Sequence, residues 1–229
     1  MLNPNPEVAR FDRVARDYDA LHRESISASG EDASYFARYK LDCIMRLGCP
    51  TGGAFLDFGC GIGNLLELLE KSFSEVHGYD PSKESLAVAR ERARNVRFHE
   101  NVPSLPDDYF STVALAGVLH HVAPAERLPV VRTVHRKLRV GGQAVVFEHN
   151  PLNPLTRRAV AACPFDDDAV LLRASELRHL FRAADFDSVT LRYIVFFPRA
   201  LRFFRPLEPM LGRLALGAQM MLIARKGRS

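Results

Sequence analysis

The run Ala54-Phe55-Leu56-Asp57-Phe58-Gly59-Cys60-Gly61-Ile62-Gly63-Asn64 decides how this chain is read. Its first five residues are apolar except for Asp57 and read as a buried strand. Three glycines at alternate positions end that strand. Asn64 to Ser72, with Leu65, Leu66, Leu68 and Leu69, then reads as a helix. Strand, glycine turn and helix open a β-α-β unit. A dinucleotide loop, G-x-G-x-x-G, would need its third glycine at position 64, where Asn64 stands. No Lys-Ser/Thr pair follows, so the turn is not a P-loop either.

Outward from this turn the same alternation continues. Val76–Tyr79, Val96–Phe98, Thr112–Leu119 and Gln143–Phe147 read as strands. Ser82–Arg94 and Ala125–Leu138 read as helices between them. Strands separated by helices of ten to fifteen residues imply a parallel sheet. Asn150 to Asp168 reads as irregular. Ser175–Ala184 reads as a helix with Ser175 as N-cap, and Ser188–Phe197 and Ala218–Ala224 read as two last strands. Before the turn, Phe11, Val14, Ala15 and Tyr18 share one face of a short helix. Ser25–Ala33 reads as a loop and Tyr35–Leu47 as a second helix.

Composition sets the outer bounds. The chain has 229 residues, 47% hydrophobic and 25% charged, which fits one generous domain and excludes collagenous, mucin-like or fully disordered chains. No apolar run reaches the ~18–20 residues that span a bilayer. The N-terminus lacks the basic and apolar regions of a signal peptide. A cytoplasmic protein, with membrane-peripheral contact as an option, is the expectation. Cys43, Cys49, Cys60 and Cys163 are too scattered for a disulfide scaffold or a zinc site. The net charge of +4 divides unevenly, because residues 192–229 hold eight basic residues and only Glu208 as an acid. A nucleic-acid binder would spread basic charge over a larger face, so no nucleic-acid partner is expected.

Physical chemistry narrows what the turn can hold. Glycines let backbone approach a ligand closely, and the helix N-terminus behind them favours a carboxylate. Asp57 attracts an ammonium. Together these suit an amino-acid zwitterion. Tyr79-Asp80 ends the next strand and places a carboxylate for two ribose hydroxyls. An amino acid joined to a ribose is S-adenosylmethionine, whose adenine would lie near Glu100, Asn101 and Val102.

Four ordered blocks now resemble a known family, the class I S-adenosylmethionine-dependent methyltransferases of the broad small-molecule branch. They are Phe55 to Gly63, Gly78-Tyr79-Asp80-Pro81-Ser82, Val118-Leu119-His120-His121-Val122 and Leu138-Arg139-Val140-Gly141-Gly142. The resemblance is strong over roughly residues 54–149. It implies an α/β, Rossmann-like, seven-stranded sheet with the last strand antiparallel, helices on both faces and an N-terminal helical lid. The lid would occupy residues 1–53 and the methyltransferase domain residues 54–229, with acceptor-covering elements over 150–217. Carried onto this sequence, the cofactor residues are Tyr18, Asp57, Gly59, Gly61, Gly63, Asn64, Asp80, Pro81, Asn101, Val102 and Ala116. The third-strand block departs from the family, with Glu100-Asn101 where a Gly-Asp or similar pair is usual.

The acceptor is less legible. The Asn/Asp-Pro-Pro-Tyr/Phe block of base and glutamine N-methylating enzymes is replaced by Ala114-Leu115-Ala116-Gly117. The metal-dependent catechol type needs carboxylates after the fourth and fifth strands. The only acidic cluster, Asp166-Asp167-Asp168, reads as a solvated loop, so no metal is expected. Candidate bases at the sheet's carboxyl edge are His121, then Glu148-His149, then His120. The expected activity is O-methylation of a small-molecule or lipid-linked acceptor. Carbon or nitrogen methylation and a non-catalytic cofactor-binding subunit are the alternatives. Arg199, Arg202 and Arg205 recur every three residues among Ala200, Leu201, Phe203, Phe204 and Leu207. This segment, 198–207, reads as a short amphipathic helix. It packs with its arginines in water, contacts an anionic membrane or lipid-linked acceptor, or binds an acidic acceptor.

Overall fold

Side chains alternate across a strand, so a sheet with apolar residues at every position must be covered on both faces. The computed structural model describes residues 6–164 and 166–227. Among them, seven strands form one sheet: β1 (Ala54–Phe58), β2 (Glu75–Tyr79), β3 (Val96–His99), β4 (Phe110–Ala116), β5 (Leu138–His149), β6 (Ser188–Ile194) and β7 (Gln219–Arg225). Their spatial order is β3-β2-β1-β4-β5-β7-β6. β1 to β5 pair in parallel, and β7 runs antiparallel to both β5 and β6. This is the expected Rossmann-like architecture, with β7 alone reversed. The chain runs outward from β1 to β3 and returns through β4 on the other side of β1. That reversal opens a crevice at the carboxyl ends of β1 and β4.

The alternation is visible in the two cores. On one face Leu56, Phe58, Val113, Leu115, Val146 and Leu222 pack against α6 (Arg127–Lys137) and α8 (Ala174–Ala183) through Val131, Val134, Leu177 and Phe181. On the other face Phe55, Ala114, Val145 and Phe147 meet α3 (Ala33–Arg46), α4 (Leu66–Leu69) and α5 (Lys83–Arg92). Each fully buried Leu or Phe contributes about 1.5–3 kcal/mol. The chain before α3 forms α1 (Pro6–Val14) and α2 (Tyr18–Ser25), which lie over the carboxyl edge.

Several element boundaries differ from the sequence reading. β4 stops at Ala116, and the apolar residues after it leave the sheet. Gly117 N donates to Phe147 O at 2.8 Å, and Leu119–His121 form a 3-10 turn. The leucine-rich helix after the glycine turn is regular only over α4. Ser175 does not cap α8, which begins at Ala174 behind Arg173 without a side-chain cap. β6 ends at Ile194 because Val195 takes a positive φ of 59°. The irregular stretch contains α7 (Pro154–Ala161), capped by Asn153, whose Oδ1 accepts from Leu155 N and Thr156 N at 3.0 Å. Arg199–Leu207 is a 3-10 helix kinked at Leu201. It is followed by α9 (Glu208–Leu211).

Arg127, 1% exposed, ties the turn after β4 to the chain ahead of α8. Its Nε donates to Leu119 O and Val122 O, Nη1 to Glu176 and Nη2 to Val170 O. Arg127→Met leaves three carbonyls and one carboxylate without this donor. We expect a loss of about 3–5 kcal/mol in urea unfolding, in the range for breaking buried charge networks. A loss under about 1 kcal/mol would show that water replaces the guanidinium.

Candidate functional site

β1 ends in a turn held by its neighbour. Gly59 N and Cys60 N both donate to Tyr79 O, at 2.7 and 2.9 Å. Gly61 N donates to Asp80 Oδ2 at 2.8 Å, and Asp80 Oδ1 accepts from Ser82 N at 2.9 Å. Two glycines of the turn have distinct duties. Gly61 has φ of 51°, and a Cβ there would meet no protein atom, so its open side faces the crevice. Gly63 has φ of 85°, and a Cβ there would stand 3.0 Å from Ala89 Cβ. Gly63 thus seats the turn against α5 and does not line the cavity.

The crevice is a cavity of about 680 Å³, within the range of small-molecule sites. Of the residues expected at the cofactor, Tyr18, Asp57, Gly59, Gly61, Asn64, Asp80, Pro81, Val102 and Ala116 line it. Asn101 does not. Its side chain accepts from Ser104 N at 3.1 Å and caps the short turn after β3. A polar residue just past a strand reads equally well as a cap or as a ligand contact, and here the backbone takes it.

α1 and α2 are fastened to this loop and to α5 by polar bonds. Ser82 Oγ donates to Asp12 at 2.6 Å, and Arg92 reaches Asp19 at 2.7 Å. Arg92 also bonds Asn64, and Arg10 pairs with Asp168. Asp12 and Asp19 lie in the N-terminal block whose resemblance implies a lid, but their partners Ser82 and Arg92 are brought to them only by folding.

Electrostatics in the cavity are unbalanced toward acid. Burial raises the Asp57 carboxyl to about 7, against an opposing pull from Lys40. Asp57 Oδ1 is buried with no hydrogen-bond partner among the described residues. Burial raises Asp80 to about 6 despite its two backbone donors. Lys40, from α3, is pulled down by burial and held up by Asp57 and Glu148. An orphaned buried carboxylate oxygen, an open glycine face and Asp80 fit the ammonium, the amino-acid backbone and the ribose of S-adenosylmethionine.

The candidate bases gather at the far wall. Glu148, 2% exposed, ends β5. Its Oε1 accepts from Val118 N and Leu119 N at 3.2 and 2.7 Å, and its Oε2 lies 2.6 Å from His120 Nδ1. His120 Nε2 lies 3.8 Å from Asp166 Oδ1, and His121 Nε2 lies 3.3 Å from it. The Phe11 ring sits edge-on to His121 at 5.0 Å, and the His149 ring is 5.0 Å from His120. Burial drives His121 to about 3, and it drives His149 well below its ordinary value. Both are neutral and weakly basic. Both rings have a carboxylate neighbour: Asp166 faces His120 and His121, and Glu148 holds His120 from its other ring nitrogen.

Asp166 corrects the reading of its cluster as a solvated loop. It is 9% exposed, while Asp168 faces outward to Arg10. The donor atoms of His120, His121 and Asp166 lie within 4.8 Å of one another, a set that could also hold a metal ion. The acidic triplet was the visible signal. The pairing of Val170 N with His120 O at 2.9 Å, which turns the loop inward, was not.

Comparison with known proteins decides the family. Residues 32–191 match the family described as the methyltransferase domain. This chain belongs to it. The fold is that of the class I S-adenosylmethionine-dependent methyltransferases. The chain aligns with a methyltransferase structure from Archaeoglobus fulgidus at a TM-score of 0.68 and 18% identity, covering 85% of this chain and 95% of that one. It is 29% identical over 174 residues to a 2-phytyl-1,4-naphtoquinone methyltransferase of Synechococcus elongatus, covering 69% of this chain and 70% of the relative. It is 33% identical over 149 residues to a trans-aconitate 2-methyltransferase of Methylobacterium nodulans, covering 60% and 55%. The chain spans 65% of the length of a further curated relative, an uncharacterized methyltransferase of Staphylococcus carnosus.

Two measurements probe this methyltransferase's cofactor wall. Calorimetric titration with S-adenosylhomocysteine should give micromolar binding that Asp80→Ala weakens at least about tenfold, equivalent to about 1.4 kcal/mol. Unchanged affinity would remove Asp80 from the site. Separately, Asp57 holds its proton up to about pH 7 when folded, against an ordinary value of 3.8. Its contribution to stability is present below pH 4 and lost as pH rises through 7. Asp57→Asn should thus match the parent near pH 4 and exceed it by on the order of 2 kcal/mol at pH 8. Parallel urea curves at the two pH values would refute the buried charge.

Proposed function

We propose that this chain transfers a methyl group to a hydroxyl-bearing small-molecule or lipid-linked acceptor, at oxygen. Bound S-adenosylmethionine supplies a methyl on a sulfonium, already activated for in-line displacement. The protein's work is to align the acceptor, exclude water and take a proton. Asp57 and the open face at Gly61 hold the amino-acid end, Asp80 holds the ribose, and α1 and α2 close over both.

One observation carries the reading, the His120–Glu148 pair at 2.6 Å in the same cavity as the glycine turn. Glu148 spends Oε1 on two backbone amides and so stays fixed. It holds the proton on His120 Nδ1 and leaves Nε2 to accept one from the acceptor hydroxyl. The imidazolium that forms lies between Glu148 and Asp166, which stabilise it. This is the base-and-orienter arrangement of a general base.

A carbon acceptor is the second reading. Deprotonating a phenolic hydroxyl also makes the ring carbons nucleophilic, so the same base serves C-methylation of a quinol. The similarity to a naphthoquinone methyltransferase favours it, while the trans-aconitate methyltransferase relative keeps a small carboxylic acid in view as acceptor.

The test is a panel of phenols, carboxylic acids, sugars and prenylated quinols, scored by the mass gain of one methyl. Glu148→Gln is expected to lower kcat about 10²–10³-fold with KM little changed, the usual weight of a general base. It should also shift the rising limb of the pH–rate profile. Full kcat in both Glu148→Gln and His120→Ala would leave alignment alone as the catalytic device. Cofactor binding without turnover of any acceptor would favour an accessory subunit.

A further inference from the structure

We propose that the face built from residues 198–216 and the start of α7 docks on an anionic lipid bilayer. Large apolar side chains project from it into solvent. Met210 is 80% exposed, Leu216 69%, Phe203 68% and Leu152 64%. Leu155, Leu207 and Leu214 of the same segments are exposed as well. A soluble surface scatters such residues singly, and a contiguous group marks a contact.

The segments form one surface because polar side chains tie them together. Asn150 Nδ2 donates to Ala215 O and Gly217 O, and Asn153 Nδ2 to Leu216 O, at 3.1, 2.8 and 2.7 Å. These bonds fix the loop after α9 against the entry to α7. Glu208, 6% exposed, anchors the other side. Its Oε1 accepts from Phe196 N and Phe197 N at 3.0 and 3.1 Å, and its Oε2 from the Tyr39 hydroxyl at 2.5 Å. Arg205 turns inward to Glu31 at 2.7 Å and lies 4.5 Å over the Tyr35 ring. The 3-10 helix is therefore clamped from beneath, and its apolar residues are held outward by construction.

Charge selects the occupant. Residues 150–163 contain no acid, and residues 192–217 contain only Glu208, which is buried. Every exposed charge of these segments is thus positive: Arg157, Arg158, Arg192, Arg199, Arg202 and Arg213. Arginines around an apolar centre match anionic headgroups above acyl chains. Among the described residues no helix is long and apolar enough to cross a membrane, so contact would be peripheral. The face also adjoins the cavity wall in the chain. It joins β5 after His149 and β7 before Gln219, and both residues line the cavity. The proposal stands on this surface alone and holds whichever acceptor atom is methylated.

The chain has no tryptophan, so Phe203→Trp installs a single indole reporter. Its emission should shift to the blue with phosphatidylcholine vesicles containing phosphatidylglycerol, and not with phosphatidylcholine alone. Added salt should weaken the shift. In vesicle co-sedimentation of the tryptophan-free chain, Arg199→Glu/Arg202→Glu should lower the partition coefficient by more than about 25-fold, about fivefold per lost arginine. Phe203→Ser/Met210→Ser should lower it about tenfold or more. Calorimetric binding of S-adenosylhomocysteine should survive in both variants and certify their fold. Absence of binding to any vesicle, or binding that both variants retain, would overturn the proposal. So would a concentration-dependent dimer abolished by Phe203→Ser/Met210→Ser, since a second copy would then cover the face.

Discussion

A buried carboxylate at the end of β5 organises the active edge. Glu148 sits where solvent cannot reach it, and an unpaired charge there would cost several kcal/mol. The structure offsets that cost with two backbone amides and an imidazole. Those amides belong to Val118 and Leu119, so the chain cannot continue β4 past Ala116. It must turn over the end of β5 to deliver them. The turn presents His120 to the cavity and exposes the Leu119 and Val122 carbonyls that Arg127 satisfies. Val170 O is also held by Arg127, and Val170 N meets His120 O. The loop bearing Asp166 is thereby drawn in. One buried carboxyl group's need for partners fixes the strand end, the turn, the histidine and the loop.

The cofactor wall has the opposite character. Asp57 and Asp80 are incompletely compensated, and their raised pKa values record the cost of burying charge. A cationic ligand relieves that cost, so the free site is poised to bind one. The lid answers to the same field. Its Asp12 and Asp19 are placed on Ser82 and Arg92, at the N-terminus and last turn of α5. The N-terminal helices are thus fastened to the helix against which Gly63 seats the turn.

Local pattern and long-range partnership account for what was legible in the sequence. The β-α-β order, the glycine turn and Asp80 follow from strand and helix periods and from backbone geometry, which neighbouring residues set. The reversed strand β7 came with the family resemblance. Asn101 was misplaced because a cap and an adenine contact use the same side chain. Val118-Leu119 looked like strand because apolarity does not distinguish a sheet residue from a buried turn. Asp166 looked solvated because nothing within ten residues announces the pairing with His120. The Glu148 carboxylate that holds the His120 ring lies 28 residues further along the chain and is invisible in a histidine pair.

The carboxyl edge of a parallel sheet concentrates both chemistry and recognition because every β-α loop is delivered there. In this chain the later loops add a second layer outside the cavity. Glu208 and Asn150 are buried polar groups whose bonds serve neither the core nor the reacting atoms. They hold exposed phenylalanine, leucine and methionine in place against the hydrophobic effect, which would otherwise fold those side chains inward. Such an arrangement stabilises the molecule only when something apolar covers it. The arginines around it define a partner that is anionic at its rim and apolar at its centre. That face joins the ends of β5 and β7 whose residues His149 and Gln219 line the cavity, so the outer layer and the reacting edge share one pair of strands.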